Sequence, residues 1–176
     1  MIIAYRHGTT AIDQSNVLRL MDISSIDSCS AADLKELMGH CGPFVKVRDD
    51  ADYWIFQRFF KSTSFVAHDG VHLVGAITAW IDPENIREIY IEEVAVHPAH
   101  RGKGIALSLF EKLEEEARRR ACVRLWLTCN PSNPAIQVWV KLGFSNVESG
   151  SLKNGLSVIQ NLKGHGLHRA IFEKAL

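Results

Sequence analysis

The sequence lacks an excess of charge of either sign. Its 20 lysines and arginines stand against 20 aspartates and glutamates, so no bulk field favours nucleic acid or an anionic membrane as partner. An anionic ligand must therefore be held by a local device. No apolar run is long enough to span a bilayer, and the N-terminus lacks the charged, apolar and small-residue zones of a signal peptide. The four cysteines, Cys29, Cys41, Cys122 and Cys129, show no C-x-x-C spacing, which reads as reduced thiols in a cytoplasmic protein rather than a disulfide framework. The eight histidines form no H-E-x-x-H or similar pattern, so no metal site is expected. Repeats, low-complexity tracts and linkers are also missing. What remains is an ordinary soluble globular chain of 176 residues, 47% hydrophobic and 23% charged, the length of one domain.

Residues 1–16 read as an N-terminal extension of unassigned structure, and 17–176 as the domain. Val17 to Met21 has the pattern of a short strand. Ala31 to Met38 reads as a helix with Ser30 as N-cap and Gly39 as its stop. Asp52 to Phe60 reads as a second helix, crowded with Tyr53, Trp54, Phe56, Phe59 and Phe60. Ser64–Ala67 and Val71–Trp80 look like a hairpin turning at His68-Asp69-Gly70, and Glu88 to Val96 like a strand. From Gly104 to Arg120, apolar residues at Ile105, Ala106, Leu109, Phe110, Leu113 and Ala117 make one stripe of a long amphipathic helix. Val123 to Thr128 is a strand, Pro134 to Leu142 a helix, Gly143-Phe144 a strand entry and His168 to Glu173 a closing strand. Strand, helix and strand from Glu88 to Thr128 form a βαβ unit, so part of the sheet must be parallel.

The junction between that strand and the long helix carries the chemistry. It reads Arg101-Gly102-Lys103-Gly104-Ile105-Ala106. The two glycines permit positive φ and a close approach of backbone to a bulky anion. The helix aims unpaired N–H groups and its positive dipole end at the same place, and Arg101 and Lys103 add local charge. The Gly-Lys-Ser/Thr ending of a Walker loop and the third glycine of a dinucleotide fingerprint are absent.

This loop resembles the pyrophosphate loop of the GNAT superfamily of N-acetyltransferases, Gln/Arg-x-x-Gly-x-Gly/Ala, here Arg101-x-x-Gly104-x-Ala106. Val96-His97-Pro98 before it, and the stretch from Asn133 through Ala135 and Trp139 to Gly143-Phe144 after it, resemble the same family at the right distances. The likeness is specific over residues 88–148 and looser elsewhere. It implies an α/β (α+β) fold: a mixed, mostly antiparallel sheet of six to seven strands with a central parallel splay, flanked by four helices. It also implies acetyl-CoA as co-substrate, without a metal. The pyrophosphate would lie on Arg101, Gly102, Lys103, Gly104, Ile105 and Ala106, and the pantetheine arm along Val94, Ala95 and Val96 like an added strand. Asn133, Ala135 and Trp139 would flank it. The thioester would sit where the strands ending near Val96 and Thr128 diverge, with the acceptor entering over the first helices.

Acetyl transfer to an amine needs the amine neutral, yet a lysine-like amine is only about 0.04% neutral at pH 7. Glu92 and Glu93 lie in the strand that runs into the loop. Strict alternation sends one to each face unless a bulge intervenes, as is common in the family. Glu93 is the favoured base because Val94 and Val96 alternate away from it; ordinary strand-edge carboxylates are the plain alternative for both. The family's usual acid, a tyrosine four residues after Ala135, is here Trp139, whose indole N–H cannot deliver a proton at useful pH. Tyr53, Trp54 and Arg58 are candidates to line the acceptor pocket, against the simpler view of a helix burying its rings. His97 and His100 read as surface residues beside the loop.

Two other classes stay in view. An acyl-CoA-binding sensor of the same fold would explain Trp139, though Glu92 and Glu93 speak against it. Arg6-His7-Gly8 mimics the start of histidine phosphatases, but the rest of the chain is claimed by the other motifs. The acceptor is a small-molecule amine or a protein lysine. Cys41-Gly42-Pro43, the aromatic helix and Thr63 to Ala67 loosely resemble diaminobutyrate acetyltransferases, and a homodimer is compatible with the chain.

Overall fold

A computed structural model describes residues 21–176. The extension 1–16, with its Arg6-His7-Gly8 segment, lies outside the described residues. So does the strand expected over Val17–Met21, apart from Met21 itself. The first described strand is β1 (Asp22–Ser25). It pairs with β2 (Phe65–Asp69), which turns at Gly70 into β3 (His72–Ile81), and β3 pairs with β4 (Glu88–Val96), all antiparallel. β5 (Arg124–Cys129) lies parallel to β4 and antiparallel to β9 (Arg169–Ala175). Along β9's other edge lie the two-residue β6 (Ser145–Asn146) and β8 (Leu156–Ile159), the latter paired with β7 (Ser151–Lys153). The result is the expected mixed, mostly antiparallel sheet with one parallel pair. Among the described residues it has nine strands rather than six or seven, because the β7–β8 hairpin turns on Asn154-Gly155, both with positive φ (53° and 76°), a turn signal the sequence reading passed over.

Four α-helices flank the sheet among the described residues. On one face lie α1 (Ala31–Cys41) and α2 (Asp50–Phe59). α1 starts in a capping box: Asp33 N–H donates to Ser30 Oγ (3.1 Å) and Ser30 N–H to Asp33 Oδ2 (2.9 Å). It does not stop at Gly39. Burial of Leu34, Leu37, Met38 and Cys41 along one stripe outweighs a mid-helix glycine's cost of about 1 kcal/mol, and the helix ends at Gly42. In α2 only Tyr53 and Phe56 are buried, whereas Trp54 and Phe59 are 55% and 63% exposed. The opposite face carries α3 (Ile105–Arg119), which buries Ile105, Leu109, Phe110, Leu113 and Ala117 as the stripe required, and α4 (Ile136–Lys141). Gly75 on β3 lets α3 settle close, since a Cβ there would stand 2.7 Å from Ile105 Cγ2. That contact fixes the helix N-terminus, and the loop before it, against the sheet. Among the described residues no helix is long and apolar enough to cross a membrane.

Candidate active site

β4 and β5 pair only from Glu88–Arg124 to Ile91–Leu127. Beyond that point β4 continues to Val96 beside β3, and β5 to Cys129 beside β9. The sheet therefore opens in a wedge. From Glu92 onward the β5-facing backbone edge of β4 has no strand beside it among the described residues. Val94 and Val96 pack toward the α3 core while Ala95 belongs to the α1–α2 core, so this exposed edge is held flat from both sides.

The register of β3 against β4 slips at the same place. Thr78 faces Glu93 and Ala79 faces Ile91, which leaves Glu92 as the extra residue of a bulge. A regular strand would part Glu92 from Glu93; here both reach Arg48, on the segment joining α1 and α2. The Arg48 guanidinium pairs with Glu92 Oε1, and its Nε lies 3.6 Å from Glu93 Oε2. Lys46 N–H donates to Glu93 Oε1 (2.7 Å), and Arg48 N–H to the Tyr53 hydroxyl (3.0 Å). From the β8–β9 loop, Lys163 Nζ approaches Glu92 Oε1 to 3.8 Å. The two carboxylate side chains are only 12% and 10% exposed. Burial pushes the Glu93 carboxyl above its ordinary value, opposed by the Lys46 N–H and the Arg48 charge.

At the far end of β4, Gly102 and Gly104 both have left-handed φ, 77° and 81°. A Cβ on either would meet nothing within 4 Å, so the glycines serve backbone conformation and the loop opens outward. The first helical bond of α3 runs from Ser108 N to Gly104 O (3.0 Å). The N–H groups of Ile105, Ala106 and Leu107 therefore point off the helix end. Arg101 Nε donates to Val96 O (3.2 Å), tying the loop to the strand, and Lys103 is exposed. A diphosphate suits this cradle: N–H donors, a positive helix end and two cations, with no side chain in the way. His97, beside it, is half-buried rather than on the open surface, its ring 5.0 Å from His40 and 5.7 Å from His100.

The other candidates fall in three places. Asn133 Oδ1 accepts from Ala135 N–H (2.9 Å), opening the turn into α4 at the C-terminal end of β5. Trp139 is 8% exposed in the α3-side core, edge-on to Phe110 at 5.6 Å, and its indole N–H has no hydrogen-bond partner among the described residues. Tyr53 reaches the carboxylate cluster through Arg48. Trp54 and Arg58 are not brought to it: both are exposed, grouped around the Phe59 ring. Arg48 itself escaped the sequence reading, because a lone arginine in a loop has no period or motif. Among the described residues no group of three or more His, Cys, Asp or Glu is placed to hold a metal ion.

Comparison with known proteins agrees with this geometry. The acetyltransferase (GNAT) family model matches residues 32–144. The L-2,4-diaminobutyric acid acetyltransferase of Vibrio cholerae is 30% identical over 134 residues, 74% of this chain and 76% of that protein. The corresponding enzyme of Shouchella clausii is 35% identical over 85 residues, and there the match spans about half (48%) of the relative's length. Among solved structures, the diaminobutyrate acetyltransferase of Paenibacillus lautus, in complex with its substrate and coenzyme A, has a TM-score of 0.66 at 19% identity, covering 88% of this chain and 95% of that one. The ribosomal-protein-S18-alanine N-acetyltransferase of Escherichia coli gives 0.69 at 18%, covering 89% and 94%. The likeness to diaminobutyrate acetyltransferases thus runs beyond the N-terminal half in which the sequence suggested it. With a parallel pair that splays beside a glycine loop at a helix N-terminus, and a family match over most of that architecture, this chain belongs to the GNAT acetyltransferase family.

Proposed function

We propose that the chain, as a single catalytic domain over residues 17–176 in a cytoplasmic setting, moves acetyl from acetyl-CoA directly to a primary amine of a small molecule. The observation that supports this most is the wedge between β4 and β5, with two buried carboxylates at its apex and an anion cradle at its mouth. Arg101 to Ala106 would hold the diphosphate and the open edge of Val94, Ala95 and Val96 the pantetheine arm, with Asn133, Ala135 and Trp139 across the wedge. Bound there, acetyl-CoA supplies an activated thioester. The chain's residues supply proton handling. Glu93, raised by burial, takes the proton as the acceptor nitrogen forms its bond to the acetyl carbon and the carbon–sulfur bond breaks. Glu92 holds Arg48 and so keeps that charge from fully neutralising Glu93. A small acceptor is favoured by relatives named for diaminobutyrate at 30–36% identity. Free-thiol release from acetyl-CoA with an amine panel tests the proposal. Saturable acetyl-CoA binding without release by any amine would point to a sensor instead.

Trp139 takes no part in proton transfer. A thiolate with a cysteine-like pKa near 8.5 leaves without simultaneous protonation, and water can protonate it afterwards. Cys129 is no source, because burial pushes its thiol up to about 12. Trp139→Phe keeps an aromatic ring, though a smaller one, and removes an N–H that makes no hydrogen bond among the described residues, so kcat should fall less than about tenfold. Trp139→Ala should lower thermal stability by about 3–5 kcal/mol through the cavity it leaves. Steady-state kinetics beside a melting curve separates the two. A Phe variant with normal acetyl-CoA affinity and a hundredfold lower kcat would put the indole in the chemistry.

A further inference from the structure

Three aromatic residues far apart in sequence form one row across the sheet. Trp80 on β3 faces Tyr90 on β4, and Tyr90 faces Trp126 on β5. Cross-strand partners share a face, and so do residues two apart on one strand. Asp82, Glu88 and Thr128 therefore join the row, and Ile171 opposite Thr128 completes it. Together they line a cavity of about 500 Å³. It lies on the α2 side, where Phe56 and Phe60 back Trp80 at 6.1 and 6.0 Å.

The polar ends of two of these rings, Trp126 and Tyr90, are already engaged. Trp126 Nε1 donates to Glu88 Oε2 (2.5 Å), and the Tyr90 hydroxyl pairs with Thr128 Oγ1 at 2.9 Å. The rings are thus fixed, and what they offer to the cavity is π-electron density: Trp80 and Tyr90 at 5.0 Å and 37° on one side, Trp126 on the other. Glu88 and Asp82 add negative charge, and among the described residues no lysine, arginine or histidine lines the cavity. Arg124, two residues before Trp126 and so on the same face, does not line the cavity but lies 5.2 Å over Trp126, 3.6 Å from Glu88 Oε1 and 3.4 Å from Oε2 of Glu173, which faces Trp126 from β9. With Asp82, Glu88 and Glu173 set against Arg124, the face stays net negative, so its rings suit an ammonium group and repel a carboxylate. Thr78, two residues from Trp80 on β3 and about 6.6 Å from it by strand geometry, faces Glu93, a separation comparable with that of the two nitrogens in a short α,ω-diamine.

We propose that this cavity binds the distal ammonium of a diamine whose other nitrogen is presented to Glu93, and that an acceptor carrying a carboxylate beside its amine is disfavoured there. The proposal rests on the acetyl-transfer reading above. The test compares a short α,ω-diamine, the alkylamine of the same length and L-2,4-diaminobutyrate, by thiol release and by quenching of tryptophan fluorescence in the presence of CoA. Wild type should use the diamine at least about tenfold better in kcat/KM than the alkylamine, with diaminobutyrate below the diamine. Glu88→Gln keeps an oxygen for the Trp126 N–H and removes the charge, and with it the ion pair to Arg124, so it should bring the diamine-to-alkylamine ratio near one. Trp126→Leu should do the same; if it fails to fold, Glu88→Gln alone decides. Equal use of both amines by wild type, a ratio untouched by Glu88→Gln, or a preference for diaminobutyrate overturns the proposal and leaves acetyl transfer standing. If no amine releases thiol, saturable quenching by the diamine that Glu88→Gln abolishes keeps the cavity's assignment and removes the acetyl-transfer reading; absence of quenching removes the cavity's assignment.

Discussion

Replacing Gly104 by Asp should abolish useful acetyl-CoA binding while leaving the protein folded. Gly104 has φ 81° and ψ 0°, the left-handed region in which most side chains cost about 1–2 kcal/mol. Asp is among the residues that tolerate it best. Nothing lies within 4 Å of where its Cβ would stand, so no collision adds to that cost. What changes is the cradle's sign. A carboxylate about 4 Å from a phosphate oxygen costs about 4 kcal/mol at the effective dielectric of a protein surface, close to a thousandfold in dissociation constant. Gly104→Ala is the control, since it carries the conformational cost without the charge and should lose far less. Calorimetric titration of acetyl-CoA reads both. Because the contacts are largely ionic, wild-type affinity should also weaken as salt rises. Equal, small losses in Ala and Asp variants with native melting temperatures would move the diphosphate away from this loop.

The loop was legible in the sequence because its elements are contiguous. The stripe from Ile105 to Ala117, the glycines at 102 and 104 and the strand Glu88–Val96 each state their own geometry within a few residues, and the structure reproduces that strand's limits. Features made by pairing were not legible. The bulge at Glu92 could be raised only through the family resemblance, because its place depends on how β3 slides against β4, and the row Trp80–Tyr90–Trp126 exists only once three strands are in register. Arg48 finds both carboxylates only once the segment joining α1 and α2 is laid over β4. The β7–β8 hairpin is a different kind of miss. Asn154-Gly155 announced it, but the flanking strands are three and four residues long, too short for alternation to register. For the aromatic helix, composition misled: the rings at 53 and 56 are buried while those at 54 and 59 stay exposed.

Glu93→Gln tests how the two carboxylates divide the work. The amide carbonyl of Gln can still accept from the Lys46 N–H, so the strand and the loop over it should keep their positions, while the capacity to take a proton is lost. Loss of a general base costs about 10²–10⁴-fold in kcat, and acetyl-CoA affinity should be nearly unchanged because the loop at 101–106 is untouched. The wild-type pH profile carries the same information. Only the ionised Glu93 accepts a proton, and burial has raised its pKa, so kcat/KM should fall as pH drops through a value above that of an ordinary glutamate. That acidic limb should vanish in the Gln variant. Glu92→Gln should behave differently. Its amide can no longer pair as an ion with Arg48, and the guanidinium, already 3.6 Å from Glu93, is freed to close on that carboxylate and pull its pKa down. The acidic limb then moves to lower pH and kcat falls by less than in Glu93→Gln, since a base remains but a weaker one. If instead Glu92→Gln removes the limb and Glu93→Gln preserves it, the bulge residue is the base and Glu93 is the anchor. If both variants keep the limb and most of kcat, the amine is prepared by desolvation in the wedge rather than by either carboxylate.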